Sequence, residues 1–462
     1  MNPELIQEFL DQVQEVDATA SAGMKGGTFT TMAGDWQAHG VRPGDVVLLC
    51  LSNSKTALQH FFGVLLAGAV PAFVAPATPI GRMRELVSGL QARAVLAVRP
   101  QPGLWEEGHA TEIGCAHAVL FDRERPAAAA GEAIQLTSGT SGFSSGCVFD
   151  FAAMLLNAER HAASIGQQCG DTVLVNLPIQ FSFALVAQVL ASLVRGNRLV
   201  ISGPPFHAPT YLKHLRDFGI TISSLTPVLV RPLLRMGAAF PRSLRVLSVG
   251  GDMLPAEQTA SLLRSRPEGE LYLTYGLTQA GPRVSTLAAH AEPPLRHTSV
   301  GRPLPGVRVR LEPVKDRPGL NELFVSSATM MKRRIGLAAG PASIPPTVSP
   351  MIATGDVFDL DADDYLYFRG RLGDFIMRAG EKICLASVRA AAAQLPNVAR
   401  ARTVVNRQKD EEDYDIELHL QDGGWAEEED YTQMLRKWLR RSEMPRSVRV
   451  VGAEVSSVAA YK

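Results

Sequence analysis

A loop rich in glycine and hydroxyl residues at positions 136–146 constrains this chain more than any other part of its sequence. The segment reads Leu-Thr-Ser-Gly-Thr-Ser-Gly-Phe-Ser-Ser-Gly, with three glycines and six hydroxyl side chains in eleven residues, and it continues the strand-like residues 133–136. Glycine lets successive backbone N–H groups point into one concavity, and Ser and Thr add hydroxyl donors, so the loop suits a polyphosphate. It is not a Walker-type loop, because no Gly-Lys-Ser/Thr follows at the required spacing. On composition alone, a flexible surface linker is the alternative.

Length and composition exclude several classes of protein. A chain of 462 residues predicts two or three structural units. The 46 basic and 46 acidic residues argue against a nucleic-acid partner. The five cysteines form no Cys-x-x-Cys pair, so neither a zinc site nor a disulfide framework is indicated. The sequence shows no signal peptide, and its longest apolar-looking stretch, residues 61–75, is too short and too interrupted for a membrane span, which predicts a cytoplasmic protein.

Short apolar runs alternate with helix-length segments over most of the chain. Continuous apolar runs are typical of buried parallel strands. The predicted strands are residues 46–51, 69–75, 92–98, 172–176, 198–201, 220–225 and 244–249, with a helix predicted over 57–66. After residue 358 the sequence pattern changes to that of a smaller α+β unit. Helices are predicted over 387–395 and 431–441, and strands over 402–405 and 415–420. The expected fold is therefore α/β, with mostly parallel sheets and helices in a large N-terminal domain and a small α+β C-terminal domain.

Six short motifs, of which the loop is the first, occur in a fixed order along the chain. They lie at residues 137–146, 177–185 (Leu-Pro-Ile-Gln-Phe-Ser-Phe-Ala-Leu), 275–279 (Tyr-Gly-Leu-Thr-Gln), 299–306 (Ser-Val-Gly-Arg-Pro-Leu-Pro-Gly), 354–356 (Thr-Gly-Asp) and 370–376 (Gly-Arg-Leu-Gly-Asp-Phe-Ile). Together they resemble the signatures of the adenylate-forming superfamily of acyl- and aryl-CoA synthetases, stand-alone adenylation domains and luciferases. The resemblance implies an N-terminal domain over residues 1–369 that binds ATP and the acid. It also implies a hinge over 370–373 that includes Gly373, and a mobile C-terminal cap over 374–462.

The resemblance also implies a nucleotide site with Mg²⁺ as its metal. Residues implied to bind ATP are Thr137, Ser138, Gly139, Thr140, Ser141, Gly142, Gly251, Tyr275, Asp356 and Arg371. Thr278 would contact the α-phosphate, Gln279 would stand at the magnesium position, and Asp356 would accept hydrogen bonds from the ribose hydroxyls. An ordinary surface ion pair between Asp356 and Arg371 is the alternative.

The family resemblance also implies which residues bind the carboxylic acid and which lysine is catalytic. The resemblance implies a pocket for the carboxylic acid lined by Phe181, Ser182, Val249, Gly250, Thr274 and Gly276. Ser182 stands where amino-acid-activating relatives carry Asp, which disfavours an α-amino acid, and the apolar and glycine-rich walls favour an aryl or acyl acid. Asp252, beside this wall, is predicted to cap the helix that follows it. Aligning the last residues on the family's closing motif places Lys462 at the catalytic lysine, with a terminal lysine of no role as the alternative.

Several residues depart from the family pattern. Ser144 and Ser145 replace a Pro-Lys pair, which removes a cation beside the leaving pyrophosphate. Gln279 replaces a metal-binding Glu, and an amide oxygen is a weaker magnesium ligand than a carboxylate. Phe181 stands at a His position and Arg389 at an acidic one. These changes affect the expected catalysis more than the expected fold.

The leading hypothesis is an AMP-forming acid–thiol ligase. It would convert a carboxylic acid to its acyl-adenylate and pass the acyl group to the thiol of coenzyme A or of a phosphopantetheine on an acyl carrier protein. One alternative keeps adenylation but uses an amine or an inorganic oxyanion as the second partner. Another is a degenerate member that binds nucleotide or acyl ligand without turnover, which Ser145 and Gln279 would permit.

Overall fold

A computed structural model describes residues 2–16, 27–104, 108–114, 116–124, 126–138, 144–315, 317, 319–336, 351–378, 381–408, 411–421, 427–439 and 441–451. The strands are β1 (Gln14–Glu15), β2 (Val46–Cys50), β3 (Val70–Phe73), β4 (Ala92–Ala97), β5 (His109–Ile113), β6 (Ala116–Leu120), β7 (Glu132–Ser138), β8 (Ser144–Asp150), β9 (Thr172–Val175), β10 (Arg198–Ile201), β11 (Ile222–Leu225), β12 (Val246–Gly250), β13 (Glu270–Gly276), β14 (Arg283–Ala288), β15 (Arg302–Pro303), β16 (Val307–Pro313), β17 (Asn321–Ser327), β18 (Arg333–Ile335), β19 (Ile352–Leu360), β20 (Leu366–Arg371), β21 (Phe375–Arg378), β22 (Glu381–Cys384), β23 (Val398–Gln408), β24 (Glu411–Leu420) and β25 (Val448–Val451).

The helices are α1 (Pro3–Asp11), α2 (Phe29–Ala38), α3 (Lys55–Leu66), α4 (Ile80–Gly89), α5 (Phe151–Ser164), α6 (Ser182–Ala184), α7 (Ala191–Arg195), α8 (Ala208–Asp217), α9 (Pro227–Arg235), α10 (Ala256–Ser265), α11 (Leu385–Ala392) and α12 (Glu428–Leu435). A π-helical segment, Leu185–Leu190, joins α6 to α7. Within the described ranges, no helix is long and apolar enough to cross a bilayer.

The N-terminal sheet has the strand order β18-β8-β7-β3-β2-β4-β6-β5. Its centre is parallel, because β2 pairs in parallel with β3 and β4, and β3 pairs in parallel with β7. All five residues of β2 are apolar and buried, as expected for a strand covered on both faces. The β7–β8 hairpin pairs Ser138 with Ser144 and so brackets the glycine-rich loop at one end of this sheet.

The central sheet has the order β1-β10-β9-β11-β12-β13-β14-β15. Its strands are parallel from β1 to β13, and β14 and β15 add antiparallel pairs at one edge. Parallel strands bring their carboxyl ends to one edge of a sheet, and in open α/β sheets ligands bind there. The motifs at 177–185 and 275–279 follow β9 and overlap the end of β13, so both lie at this carboxyl edge.

Three smaller sheets complete the described structure, one of them the two-stranded antiparallel pair β21-β22. The antiparallel sheet has the order β16-β17-β19-β20 and packs a cluster of apolar side chains that includes Tyr275 and Phe358. The C-terminal sheet, β23-β24-β25, packs with α11 and α12 around a separate core that extends from Ile376 to Val448. This separate core is compatible with a C-terminal domain beginning near residue 374, and the boundary itself stays a prediction.

Most of the predicted elements are confirmed, and the ends of the N-terminal strands differ by at most two residues from the sequence-based bounds. The helix predicted over residues 431–441 is wrong at both ends. Helix α12 begins at Glu428, where three acidic residues in its first turn favour a helix N-terminus, and it ends at Leu435. The predicted cap at Asp252 is also wrong, because α10 begins after Pro255 and the Asp252 carboxylate accepts a hydrogen bond from the neighbouring Met253 amide.

A buried carboxylate ties β7 to β18. Glu132 is 1% exposed and accepts two hydrogen bonds of 2.9 Å from the Arg333 guanidinium, and the Lys332 ammonium lies 2.9 Å from its Oε1 atom. Burial tends to raise the pKa of Glu132, but the hydrogen bonds from Arg333, the Ala129 amide and Lys332 outweigh burial and lower the pKa from 4.5 to about 2. The ion pairs of Glu132 with Arg333 and Lys332 therefore stabilise β7, the strand that leads into the glycine-rich loop.

We predict that Glu132→Gln lowers the free energy of unfolding at pH 7 by roughly 2–3 kcal/mol, because a pKa lowered on folding contributes stability above the unfolded pKa. That contribution is lost as the pH falls from about 4.5 toward about 2, so the difference between variant and wild type should shrink at pH 3. Urea unfolding at both pH values measures it, with exposed Glu8→Gln as the matched control. An equal difference at pH 7 and pH 3 would contradict this role of the carboxylate.

Candidate active site

A buried carboxylate on β19 lies at the centre of the candidate site. Asp356 is 2% exposed and faces Arg371 directly across the antiparallel β19–β20 pair. Its Oδ2 atom accepts a hydrogen bond of 2.7 Å from the Tyr275 hydroxyl, and the Arg371 Nε atom lies 3.3 Å from Oδ1. The Thr354 hydroxyl fixes the preceding turn by accepting a bond from the Asp356 amide. Three residues assigned to the nucleotide from separate motifs therefore meet, and the Asp356–Arg371 pair is not an ordinary surface pair, since its carboxylate is buried.

One oxygen of this carboxylate is free to accept a hydrogen bond. Asp356 Oδ1 is buried and, among the described residues, has no hydrogen-bond partner, despite its proximity to Arg371. Burial raises the pKa of Asp356, while the charge of Arg371 and the Tyr275 hydrogen bond act in the opposite direction. A buried acceptor without a donor is costly, so such an atom favours a ligand that brings a hydroxyl. A ribose hydroxyl has the required chemistry, and the residues therefore fit a nucleotide.

Thr278 and Ser182 bring two other motifs together. The 3₁₀ turn Thr278–Ala280 follows directly after β13 and Leu277, and the Thr278 hydroxyl lies 3.3 Å from the Ser182 hydroxyl at the start of α6. Both side chains are half-buried. The residue assigned to the α-phosphate thus lies beside a residue assigned to the acid pocket, as adenylation of an acid requires. Gln279 is half-buried in the same turn, and its backbone oxygen accepts a hydrogen bond of 2.9 Å from the Met331 amide. The side-chain oxygen is therefore the Gln279 atom that remains to bind a metal ion.

Glycines at the carboxyl edge permit a close approach of the polypeptide segments. A Cβ atom on Gly250 would lie 2.3 Å from the Thr274 Oγ1 atom and 3.3 Å from the Phe183 ring. A Cβ atom on Gly276 would lie 2.5 Å from the Pro282 carbonyl oxygen. Only glycine therefore fits at either position without displacement of a neighbour.

The other predicted wall residues lie at the same edge. Gly251 follows β12 with φ +89°, where glycine is favoured, and Phe181 is half-buried just before α6. Val249 alternates with Gly250 along β12 and so faces the opposite side of the sheet. Val249 lines a cavity of about 20 Å³ together with residues that include Leu273, Thr274 and His297. That volume suits about one water molecule rather than an organic acid.

The phosphate loop is described only at its two flanks. The Thr137 hydroxyl lies 3.0 Å from the Ser145 hydroxyl across the β7–β8 hairpin. Ser138 is placed by its backbone alone, opposite Ser144. Gly139, Thr140, Ser141, Gly142 and Lys462 lie outside the described residues, so their assignments stay predictions.

The predicted hinge follows the end of β20. Gly373 lies in the 3₁₀ turn Leu372–Asp374, and a Cβ atom there would meet no atom within 4 Å. Asp374 accepts a bond of 3.1 Å from the Arg371 amide and a bond of 2.7 Å from Arg389. Arg389, which departs from the family pattern, thus has an acidic partner beside the hinge.

Two residues near the site were missed by the sequence reasoning. Glu322 on β17 accepts a hydrogen bond of 2.8 Å from the Gly355 amide and so supports the turn that carries Asp356. Arg283 begins β14 and is buried, with its guanidinium 4.7 Å from the centre of the Phe183 ring. A basic residue at the start of an otherwise uncharged strand was the available signal for Arg283.

Comparison with known proteins identifies the family of this chain. Residues 32–333 match the model of a family described as AMP-binding enzyme, which covers more than half of the chain. The chain belongs to this family. The match includes the phosphate loop, the acid-pocket motif and the Tyr275 motif, but it ends before Asp356 and Arg371.

Members with known activities are similar at low identity. A 2-succinylbenzoate–CoA ligase of Bacillus licheniformis is 29% identical over 272 residues, which are 58% of this chain and 55% of that protein. The match thus spans about half of that relative's length. A 4-coumarate–CoA ligase of Oryza sativa subsp. japonica is 24% identical over 450 residues, covering 86% of this chain and 78% of that protein.

Solved structures show the same fold for this AMP-binding family member. An o-succinylbenzoate CoA synthetase from Bacillus subtilis, in complex with its acyl-adenylate intermediate, has a TM-score of 0.80 at 19% identity, covering 98% of this chain and 96% of that one. The same protein with ATP and a magnesium ion has a TM-score of 0.78 at 20% identity, covering 96% and 95%. At these identities the likeness establishes the α/β fold and nothing finer.

The residues fit magnesium less closely than they fit the nucleotide. Among the described residues, no group of three His, Cys, Asp or Glu side chains could hold a metal ion. Gln279 would offer one neutral amide oxygen at most. Magnesium commonly keeps several waters and binds through few protein ligands and substrate phosphates. A magnesium ion here would therefore be held mainly by ATP and water.

We predict that Asp356→Ala lowers the affinity for ATP at least about tenfold, because hydrogen bonds to a charged group contribute roughly 1.5–3 kcal/mol. The matched control is Asp359→Ala, which removes an exposed aspartate from the same strand, paired with Arg369 on β20. Titration calorimetry with ATP should show loss in the first variant and no change in the second. Unchanged ATP binding by a folded Asp356→Ala protein would remove this carboxylate from the site.

Proposed function

We propose that this protein uses ATP to activate a carboxylic acid as an acyl-adenylate and then transfers the acyl group to a thiol. The single observation that carries the proposal is the meeting of Tyr275, Asp356 and Arg371 at one buried carboxylate, whose Oδ1 atom has no hydrogen-bond donor among the described residues. Thr278, on the same segment as Tyr275, reaches the predicted acid pocket at Ser182. Nucleotide and acid would therefore approach each other at the carboxyl edge of the central sheet.

Each described residue has a role that its surroundings support. Asp356 would accept hydrogen bonds from the ribose. Tyr275 donates a hydrogen bond to that carboxylate and so holds it in place, and the Tyr275 ring would lie beside the nucleotide. Thr278 would donate to the α-phosphate, where negative charge grows during attack by the acid. Arg371, whose side chain is 68% exposed, can reach either ribose or phosphate. Bound magnesium would add charge stabilisation on the phosphate oxygens.

The acid is proposed to be an aryl or acyl carboxylic acid. Gly250, Gly276 and the Phe181 side chain contribute apolar surface at the carboxyl edge, as the walls of small-molecule pockets commonly do. Relatives named for 2-succinylbenzoate and 4-coumarate act on aromatic acids and use coenzyme A. We propose coenzyme A or a carrier-protein phosphopantetheine as the thiol, with Lys462 acting in the first step and Gly373 as the hinge between the two steps.

A pyrophosphate-exchange screen over aryl, fatty and amino acids tests the activation step. We expect exchange with an aryl or acyl acid, followed by thioester formation when coenzyme A or a phosphopantetheine-bearing carrier protein is added. Asp356→Ala should weaken the exchange, and Asp359→Ala should not. ATP binding without exchange for every acid would favour the degenerate binder, to which the neutral Gln279 and Ser145 point. Activation followed by transfer only to an amine or an inorganic oxyanion would favour the other alternative.

We predict that Gln279→Glu lowers the Mg²⁺ concentration needed for half-maximal exchange, because a carboxylate is a stronger magnesium ligand than an amide. Exchange is measured against Mg²⁺ concentration for wild type and variant, with whichever acid the screen identifies. Gln37→Glu, an exposed residue on α2, controls for the added charge. An unchanged Mg²⁺ requirement in Gln279→Glu would place the metal away from this side chain.

A further inference from the structure

Arg283 is a buried cation for which the described structure offers no counter-ion. It is 3% exposed, and its Nε and Nη2 atoms have no hydrogen-bond partner among the described residues. Burial lowers its pKa to about 9, so the guanidinium remains charged at neutral pH. A buried charge is normally paired and hydrogen-bonded, because an unpaired one destabilises the folded state strongly.

The position of Arg283 is set by its surroundings. Asn157 on α5 accepts a bond of 2.9 Å from the Arg283 amide and donates one of 3.1 Å to its carbonyl oxygen. The guanidinium stacks on Phe183. One helical turn after Asn157, His161 is buried, and neither of its ring nitrogens has a hydrogen-bond partner in the part of the chain that the structure describes. Burial, followed by the Arg283 charge, keeps the pKa of His161 well below the usual value. The Arg283 guanidinium is therefore held at a fixed position beside the neutral His161 ring, and it has no counter-ion among the described residues.

This charge lies next to residues that are predicted to line the acid pocket. Arg283 faces Gly276 across the β13–β14 pair. Phe183, on which it stacks, follows Ser182 and lies against Gly250. Three residues predicted to line the pocket thus surround the guanidinium or its stacking partner.

A second buried arginine, Arg266, shows how a guanidinium with a structural role is hydrogen-bonded in this protein. Arg266 is 6% exposed and lies over the Phe240 ring, but it donates hydrogen bonds of 2.9 and 3.1 Å to the carbonyl oxygens of Leu244 and Arg245. Backbone acceptors thus satisfy Arg266, whereas the described structure provides none for the Nε and Nη2 atoms of Arg283.

We propose that the acid substrate is a dicarboxylic acid whose second carboxylate pairs with Arg283. A carboxylate matches the planar guanidinium in charge and geometry, and pairing removes the cost of the buried, unsatisfied donors. The neutral His161 ring can donate a further hydrogen bond to the same group. The inference rests on the proposed function, because it assigns the substrate class of the same site.

The test uses pyrophosphate exchange with pairs of acids that differ only in the second carboxylate. The pairs are hexanedioate and hexanoate, benzene-1,4-dicarboxylate and 4-methylbenzoate, and 2-succinylbenzoate and 2-butanoylbenzoate. We expect wild type to prefer the diacid in at least one pair by about tenfold or more in kcat/KM. Arg283→Met should abolish that preference by weakening diacid use while keeping the monoacid, and Arg283→Lys should retain part of it. Arg266→Met should leave the preference unchanged.

Exchange with monoacids but no diacid preference in any pair would overturn the inference and leave the proposed function intact. Equal loss of both acids in Arg283→Met would overturn it as well. Absence of exchange with every acid would contradict the proposed function instead. Thermal unfolding then decides the inference, because a bound diacid should raise the unfolding midpoint of wild type and not that of Arg283→Met.

A stability comparison separates a ligand-binding arginine from a structural one without any substrate. Removing an unsatisfied buried charge should leave the unfolding midpoint unchanged or raise it, so Arg283→Met should be at least as stable as wild type. Arg266→Met should unfold at a lower temperature, because it loses satisfied hydrogen bonds. A midpoint lowered in Arg283→Met as much as in Arg266→Met would make Arg283 a structural residue.

Discussion

The hydrogen bond between Tyr275 and Asp356 joins two sheets at the point where the candidate site forms. Tyr275 ends the buried part of β13 in the central sheet, and Asp356 lies on β19 of the antiparallel sheet. The Tyr275 ring also meets the Phe358 ring edge-on at 4.8 Å, so apolar packing and a charge-assisted bond hold the same contact. Because Thr278 follows Tyr275 within one turn, this contact sets the distance between the predicted ribose carboxylate and the predicted α-phosphate donor.

The carboxyl edge of the central sheet carries several buried polar groups that the described structure leaves unsatisfied. Arg283 and His161 lie together there, and Asn176 and Thr226, which follow the neighbouring strands β9 and β11, also have buried side-chain atoms without partners. Folding normally pairs nearly all such atoms, since each unpaired one lowers stability. Their accumulation at the edge where open α/β sheets bind ligands suggests that bound substrates complete the hydrogen bonding.

Sequence patterns predicted the frame of the molecule better than the details of its site. The run at residues 46–51 revealed β2 because a strand buried on both faces is continuously apolar. The helix predicted over residues 431–441 was wrong because the start of the helix depends on the acidic first turn at 428–430 rather than on the later apolar residues. The environment of Arg283 could not be read from sequence at all. It depends on Asn157 and Phe183, which packing brings from distant segments to one place.

The departures from the family pattern also form a consistent electrostatic set. Ser145 removes a positive charge where the family has lysine, and Gln279 removes a negative charge where it has glutamate. The two changes cancel in net charge around the polyphosphate, so binding of ATP need not suffer even though metal recruitment by the protein weakens. Arg283 adds a positive charge deeper in the site, away from the exposed Arg371. A diacid held by Arg283 at one carboxylate would leave the other carboxylate available for attack on the α-phosphorus.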